Sequence, residues 1–221
     1  MSTSHAGVHH PVHTRLVLVR HGQTDHNRDG RLQGQVDIPL NATGRKQAAR
    51  AAASIAQNPP DLIVASPLDR AHETARIIGE ACGVDVTTDA AFLERSFGAW
   101  EGLRGEEIRG RWPQEHAAWR AHRPVPGLDI EERLAVGERV AAAARSLVAE
   151  NTGGTVMVVA HGAAITLGIT ALLGEDPESF RGLGGLENCH RSVLEPLVSD
   201  PSGQAMRLLS HNLPPDFTGA S

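Results

Sequence analysis

The chain is poor in cysteine and lysine, and it has no excess of positive charge. Cys82 and Cys189 are the only cysteines in 221 residues, too few for a disulfide scaffold and without the spacing of a metal site. The total of 21 Lys and Arg, of which only Lys46 is lysine, faces 26 Asp and Glu, so the formal net charge is -5. We therefore expect a protein of the reducing cytoplasm that binds neither nucleic acid nor an anionic membrane.

Long hydrophobic runs are also missing. No stretch has the length and apolar character of a membrane-spanning helix, and the N-terminus lacks the apolar core of a signal peptide. Residues 1–14 carry four histidines among Ser, Thr, Gly and Pro, and we expect a disordered tail there. Residues 15–221 are enough for one domain with a substantial core, and the sequence contains no internal repeat or linker.

The motifs of other enzyme classes are absent as well. There is no Gly-x-Ser-x-Gly elbow and no Walker loop, which excludes the common serine hydrolases and nucleoside triphosphatases. No carboxylate pair and no His or Cys cluster has the spacing of metal ligands. We therefore expect no metal and no cofactor.

The most informative stretch is the apolar run Leu16-Val17-Leu18-Val19, which is followed directly by Arg20, His21 and Gly22. Four consecutive aliphatic residues predict a strand buried on both faces, as in a parallel sheet. Ligands of open α/β sheets bind outside the carboxyl ends of the strands. The run therefore places a cation and a nucleophile where a ligand is expected.

Two further segments follow the same plan. The apolar run Thr155–Ala160 ends in His161 and Gly162, and Asp61–Ala65 ends in Ser66-Pro67, with Arg70 in the first turn of the helix that follows. A strand end, a helix N-terminus and a guanidinium that face one crevice form an anion site.

The order of elements predicts an α/β fold. Strands and helices alternate with few hairpin signals, which indicates a three-layer α/β/α sandwich with a mostly parallel central sheet. The last two strands, expected over 190–197 and 204–211, are candidates for antiparallel pairing. We expect helices over 44–57, 67–82, 129–150 and 163–173, the first three capped by Thr43, Ser66 and Asp129.

These segments together resemble the histidine phosphatase superfamily, the phosphoglycerate-mutase-like enzymes. The resemblance rests on three patterns, Arg-His-Gly-x-Thr-x-x-Asn at 20–27, Ser-Pro-x-x-Arg-x-x-x-Thr-Ala at 66–75, and Leu-Glu with Gly-x-Trp-Glu-Gly at 93–102. It covers roughly residues 15–211. Short matches at 33–37 and 183–185 are similar to glucosyl-3-phosphoglycerate phosphatases.

The resemblance implies a phosphomonoester phosphatase that acts on a small phosphorylated metabolite through a covalent phosphohistidine. It implies that His21 is the nucleophile, and that Glu94 protonates the leaving group, with Glu101 as the competitor for that role. The other implied site residues hold the phosphate oxygens, with His161 protonated: Arg20, Asn27, Gln33, Arg70, His161 and Gly162.

Several alternatives stay open at this point. A phosphoglycerate mutase and a catalytically inactive module that binds a phosphorylated ligand are the competing functions. A mutase of this family carries a strongly basic insertion, whereas Arg104, Arg109 and Arg111 are separated here. Residues 104–128 are expected to form a lid or a pocket wall. Among phosphatases, an α-ribazole phosphatase and a broad sugar phosphatase stay open beside the glucosyl-3-phosphoglycerate phosphatases. The substrate and a homodimeric state are not decided by the sequence.

Overall fold

The computed structural model describes residues 14–121, 123–200 and 204–216, and in them a single mixed sheet carries the fold. The strand order is β3-β2-β4-β1-β5-β6. β2, β3 and β4 run parallel to β1, whereas β5 is antiparallel to both β1 and β6. The strands are β1 Arg15–Arg20, β2 Leu62–Ala65, β3 Val86–Thr88, β4 Thr155–Ala160, β5 Arg191–Pro196 and β6 Met206–Leu213.

Helices cover both faces of this sheet. The α-helices are α1 Asp25–Arg28, α2 Ala42–Ile55, α3 Asp69–Cys82, α4 Gly105–Arg111, α5 Pro113–Arg120, α6 Arg133–Glu150 and α7 Gly162–Leu172. Two 3₁₀ turns, Ala90–Phe92 and Gly98–Trp100, lie between β3 and α4. In the described residues no helix is both long and apolar enough to cross a membrane.

The alternation of side chains along the strands creates two cores. In β1, Leu16 and Leu18 pack with α6 and α7 on one face. Val17 and Val19 pack with α2 and α3 on the other face. Because successive strand residues point to opposite faces, an uninterrupted aliphatic run is what a strand between two helical layers requires. The three-layer α/β/α sandwich predicted from the sequence is confirmed.

The predicted helix caps are wrong at three positions. α2 begins earlier than expected, and Asn41 rather than Thr43 accepts the cap hydrogen bond from the Gly44 N–H. The cap position of α3 is Leu68, without a side-chain cap, because the Ser66 hydroxyl binds a histidine instead. α6 begins only at Arg133, since Asp129 has a left-handed backbone with φ 53°.

The predicted N-terminal tail falls almost wholly on residues 1–13, which lie outside the described residues. Thr14 is the exception, because it is 7% exposed and its hydroxyl accepts a hydrogen bond of 2.8 Å from the Gly153 N–H. The sequence predicts a folded domain from residue 15 onward, and the structure shows that Thr14 belongs to it as well.

A third, smaller core lies beside the sheet. Phe97, Trp100 and Ile108 are buried together, and Trp112 and Trp119 pack against them. The rings of Trp100 and Trp119 meet edge to face, with centroids 5.9 Å apart. This aromatic cluster attaches α4 and α5 to the rest of the protein.

Candidate active site

The carboxyl ends of three neighbouring parallel strands meet at one point. β1 ends before His21, β2 before Ser66 and β4 before His161. Consequently the two histidine rings lie with their centroids 5.2 Å apart. The sheet therefore brings together the two His-Gly motifs that the sequence separates by 140 positions.

His21 is held as a neutral ring with one nitrogen available. It is 2% exposed, and its Nδ1 lies 2.6 Å from the Gly22 carbonyl oxygen. Because a carbonyl can only accept, Nδ1 carries the hydrogen, and the lone pair is on Nε2. Burial, together with the charges of Arg70 and Arg20, holds the pKa of His21 well below 6.5. The ring therefore has the unprotonated nitrogen that a nucleophile needs.

His161 is fully buried and bonded in the opposite sense. Its Nε2 lies 2.7 Å from the Ser66 hydroxyl, and its Nδ1 has no hydrogen-bond partner in the described residues. Burial, then the neighbouring His21 and Arg70, holds its pKa well below 6.5. Burial and the neighbouring cations therefore oppose a positive charge on His161, and its protonation with phosphate bound stays a prediction.

Two arginines flank the histidines. Arg70 is completely buried and donates from Nη1 and Nη2 to the carbonyl oxygens of Val36 and Gly34, at 2.8 and 2.7 Å. Arg20 donates from Nη1 to the Leu186 carbonyl oxygen. Burial lowers the pKa of both guanidinium groups, and the charge of Glu94 opposes that effect. Both nevertheless remain cations at neutral pH.

Three nitrogens of these residues are buried without a partner in the described residues, namely Arg20 Nε, Arg70 Nε and His161 Nδ1. A buried nitrogen that lacks a hydrogen bond costs about 1–3 kcal/mol, so a cluster of them indicates a missing acceptor. A phosphate group offers several acceptor oxygens and negative charge, which matches two guanidinium groups beside a neutral histidine.

The loop after β1 supplies the other predicted phosphate ligands. Asn27 accepts a hydrogen bond of 3.1 Å from the Thr24 N–H, and Gln33 accepts one of 2.7 Å from the Thr24 hydroxyl. Asn188, which sequence reasoning missed, donates to the Asn27 side chain at 3.3 Å and to the His21 carbonyl oxygen at 2.9 Å. No motif marks Asn188, because its two partners lie more than 160 positions away.

Gly162 lies directly against one of the arginines. A Cβ atom built on Gly162 would lie 3.5 Å from the guanidinium carbon of Arg20. The residue therefore contributes space beside Arg20 at the first position of α7.

Glu94 is bound to the N-terminus of α7. Its carboxylate is 9% exposed and accepts from the N–H groups of Ala164 and Arg95, both at 2.8 Å, and of Ala163 at 3.2 Å. These hydrogen bonds fix the Glu94 side chain at the first turn of α7. The same helix begins directly after His161, so Glu94 lies at the edge of the site.

Glu101, the competing carboxylate, is occupied by the protein itself. Its Oε1 accepts from the N–H groups of Gln35 and Phe97, at 3.1 and 2.9 Å, and from the Ser96 hydroxyl at 3.3 Å. A Cβ atom on Gly34 would lie 2.1 Å from that oxygen. Glu101 therefore joins the loop around Gly34 to the turn around Phe97.

Two glycines face each other behind His21. A Cβ atom on Gly22 would lie 2.6 Å from the Gly44 carbonyl oxygen, and one on Gly44 would lie 2.1 Å from the Gln23 carbonyl oxygen. The N-terminal turn of α2 reaches the loop after His21 only because both side chains are missing.

Within the described ranges, no group of three or more His, Cys, Asp and Glu side chains could hold a metal ion. The positive charge identified around His21 comes from Arg20 and Arg70.

Comparison with known proteins places this site in a family. The model of the histidine phosphatase superfamily (branch 1) matches residues 16–209. Glucosyl-3-phosphoglycerate phosphatase of Mycolicibacterium vanbaalenii is 37% identical over 181 residues, which cover 79% of this chain and 80% of that protein. Phosphoserine phosphatase 1 of Hydrogenobacter thermophilus is 32% identical over 181 residues, which cover 81% and 85%.

A solved structure gives the same result. The structure of a mycobacterial glucosyl-3-phosphoglycerate phosphatase complexed with VO3 matches with a TM-score of 0.81 at 35% identity. The match covers 90% of this chain and 99% of that one. Sequence and fold therefore agree along most of the chain, which belongs to the histidine phosphatase superfamily, branch 1.

Proposed function

We propose that the protein hydrolyses small phosphomonoesters in two steps, through a phosphohistidine on His21. The observation that carries this proposal is the neutral His21 beside three unpaired nitrogens of Arg20, Arg70 and His161. The relatives named above are phosphatases of small phosphorylated metabolites, and this chain is a phosphatase of the same family.

In the first step, the His21 Nε2 lone pair attacks phosphorus and the bond from phosphorus to the ester oxygen breaks. Glu94 gives a proton to the departing oxygen, so that an alcohol leaves rather than an alkoxide. Arg20, Arg70 and His161 hold the non-bridging oxygens, where negative charge is concentrated.

In the second step, water attacks the phosphorus of the phosphohistidine. Glu94 takes the proton of that water, and the phosphorus–nitrogen bond breaks with its electron pair returning to Nε2. Inorganic phosphate leaves, and both His21 and Glu94 are back in their starting forms. The two steps use the same carboxyl in opposite directions.

The remaining predicted ligands have supporting roles in this proposal. Asn27 contributes its amide to the phosphate, Gln33 fixes the loop through Thr24, and Gly162 leaves room for phosphate beside Arg20. The arginines supply the positive charge, so the proposed reaction uses no metal or cofactor.

The substrate class follows from what the named relatives have in common. Glucosyl-3-phosphoglycerate and phosphoserine both carry phosphate on the third carbon of a three-carbon acid. We therefore propose a phosphate ester of a primary alcohol as the substrate, with these two compounds as first candidates. Since both relatives are phosphatases, phosphoglycerate mutase becomes the less favoured alternative.

Residues 104–128 are proposed to be a fixed pocket wall rather than a moving lid. Arg31 donates to the Gly102 carbonyl oxygen at 2.7 Å and to Glu107 at 3.1 Å. Arg104 donates to the Asp29 carbonyl oxygen at 3.1 Å. These contacts bind the start of α4 to the loop that carries Asn27, and the aromatic cluster holds the rest of the segment. His122 lies outside the described residues.

Cytoplasmic location is part of the same proposal, because both cysteines are free thiols in the structure. A homodimer stays a prediction, which light scattering on the purified protein tests.

The test of the function uses two leaving groups of different basicity. Glu94→Gln is expected to lose about 10²–10⁴-fold in the first-step rate with phosphoserine, whose alkoxide needs a proton. With p-nitrophenyl phosphate the first step stays close to wild type, because nitrophenolate is already stable. Slow hydrolysis of the phosphohistidine then gives a burst of nitrophenol.

Glu101→Gln is the matched control, since it removes the competing carboxylate. It is expected to affect both leaving groups equally. If Glu94→Gln slows the first step equally with both esters, Glu94 is not the acid.

A further inference from the structure

Arg139 lies on α6, away from every motif described so far, and it contacts the segment that carries Glu94. Its Nη1 donates to the carbonyl oxygens of Ala91 and Leu93, both at 2.8 Å. Its Nη2 donates to the Glu94 carbonyl oxygen at 3.2 Å. One side chain therefore binds three main-chain carbonyls within four consecutive residues.

The remaining donors of Arg139 bind Glu131. Nε donates to Oε1 at 2.9 Å and Nη2 donates to Oε2 at 3.1 Å. All five N–H groups of the guanidinium are thus used, in the forked geometry that only arginine provides. Lysine has three donors and no plane, and it could not reproduce this set.

Glu131 extends the same network to the other side of Glu94. Its Oε2 accepts a hydrogen bond of 3.1 Å from the Ser96 N–H. Burial alone would raise the pKa of Glu131, but the hydrogen bonds from Arg139 and Ser96 outweigh it and lower that pKa. Glu131 is therefore ionised at neutral pH, as the pair with Arg139 requires.

The position of Glu94 thus depends on restraints at both of its ends. The N-terminus of α7 holds the carboxylate, while Arg139 and Glu131 hold the main chain from residue 91 to 96. A proton donor must lie within hydrogen-bond reach of the departing oxygen, and a displacement of about 1 Å can cost 10²-fold in rate.

We propose that Arg139, paired with Glu131, is a positioning residue that fixes Glu94 for proton transfer without touching the substrate. This inference rests on the proposed function, in which Glu94 is the acid. It assigns a role to α6, which otherwise only covers the sheet.

The experiment compares Arg139→Lys with the wild type on phosphoserine and on p-nitrophenyl phosphate. The variant keeps the positive charge and loses donors. We expect the first-step rate for phosphoserine to fall about 10²-fold, with a much smaller fall in the first-step rate for p-nitrophenyl phosphate. The inhibition constant of inorganic phosphate should stay within about twofold of wild type, because the phosphate ligands are untouched.

Arg145→Lys is the matched control on the same helix. Arg145 also binds main-chain carbonyls, those of Gln204 at 2.7 Å and Ala171 at 3.0 Å, but it lies outside the site. Its activities should equal those of the wild type. If Arg139→Lys does not fold, Glu131→Gln replaces it, because that change removes the charge of the pair while keeping the shape of the side chain.

The inference would be overturned if Arg139→Lys lowered the rate equally with both esters. It would also be overturned if the inhibition constant of phosphate changed as much as the rate. Arg139 would then be a structural residue. The result for Glu94→Gln separates this failure from that of the proposed function. If Glu94→Gln discriminates between the esters and Arg139→Lys does not, only the inference falls. If Glu94→Gln does not discriminate either, the acid assignment fails and the inference falls with it.

Discussion

His21 and His161 have nearly the same local setting and opposite hydrogen bonding. Each histidine follows a buried parallel strand and precedes a glycine, and the strands are neighbours in the sheet. His21 binds its own next carbonyl through Nδ1, which leaves Nε2 free. His161 is bound through Nε2 by Ser66, which follows the adjacent strand, and its Nδ1 has no partner among the described residues.

The difference shows that the motif alone does not assign the chemical role. A strand end followed by His-Gly delivers an imidazole to the edge of the sheet, and the partner of one nitrogen then decides what the other nitrogen can do. His21 is left with a free lone pair beside two cations. For His161, a Ser66 hydroxyl that donates to Nε2 leaves Nδ1 as a donor for a phosphate oxygen.

The largest expected effect is that of His21→Ala. Removal of the nucleophile should lower turnover by more than about a thousandfold, since no other group can form the covalent intermediate. No phosphate should be found on the protein after acid-free denaturation with labelled substrate. A circular dichroism spectrum like that of the wild type serves as the control, and turnover within a few-fold of wild type would remove His21 from its role.

His161→Ala should have a smaller effect of a different kind. Loss of one donor to the phosphate in the transition state is worth about 10²–10³-fold in rate. The phosphohistidine should nevertheless still form, because the lone pair on His21 remains. Quenched-flow measurement of labelled protein checks this. Complete absence of the intermediate would mean that His21 cannot form the phosphohistidine without His161.

Ser66→Ala should lower kcat about tenfold. The substitution removes one hydrogen bond that orients His161, and such a bond is worth roughly 1.5 kcal/mol. Ser192→Ala is the matched control, because the Ser192 hydroxyl also binds a histidine, His211, at 2.9 Å. That pair lies between β5 and β6, and its removal should leave kcat unchanged. Equal effects of the two substitutions would indicate that Ser66 only supports the fold.

The pH dependence of stability should report on both histidines. Their folded-state pKa values lie well below the unfolded value of 6.5. Below pH 6.5 the unfolded chain therefore binds more protons than the folded one. Stability is fully present above that pH and falls as the pH decreases, by at most about 1.4 kcal/mol per pH unit for each histidine.

Urea unfolding of the phosphate-free protein on either side of about pH 6.5 measures this slope. His161→Asn should have a shallower slope than the wild type. An identical slope would mean that His161 is not buried in its neutral form.

The smallest expected effect is that of chelation. Because Arg20 and Arg70 supply the positive charge, EDTA should leave kcat and KM of the wild type unchanged. Loss of activity that Mg²⁺ or Zn²⁺ restores would contradict this assignment.

Much of the fold could be read from the sequence, because its strongest signals are local. The aliphatic runs before His21, Ser66 and His161 are the central strands β1, β2 and β4, and α3 ends at Cys82 as predicted. The predicted histidine phosphatase family, the three-layer α/β/α fold and the classification as a phosphatase are confirmed. The single-domain assignment and the catalytic and phosphate-binding roles of the site residues stay predictions.

The cap predicted at Ser66 failed, and Arg139 and Asn188 were missed, because their partners lie far away in the sequence. Ser66 has the ordinary signature of a helix cap, but His161, 95 positions later, takes its hydroxyl. Arg139 and Asn188 carry no motif, because the carbonyls that they bind are defined only by the folded chain. Propensity describes a residue with its neighbours in sequence, whereas these contacts arise from how the strands and helices pack.

The contact between Gly22 and Gly44 bears on how far this enzyme can change by mutation. The atoms that an added methyl group would meet belong to the main chain, so no second substitution nearby could make room for it. In a library of random variants, both positions should therefore accept only glycine. A substitution that inactivates the enzyme at one position should not be rescued by a substitution at the other. Neither glycine takes part in the reaction, yet we expect both to be as intolerant of replacement as the histidine that they adjoin.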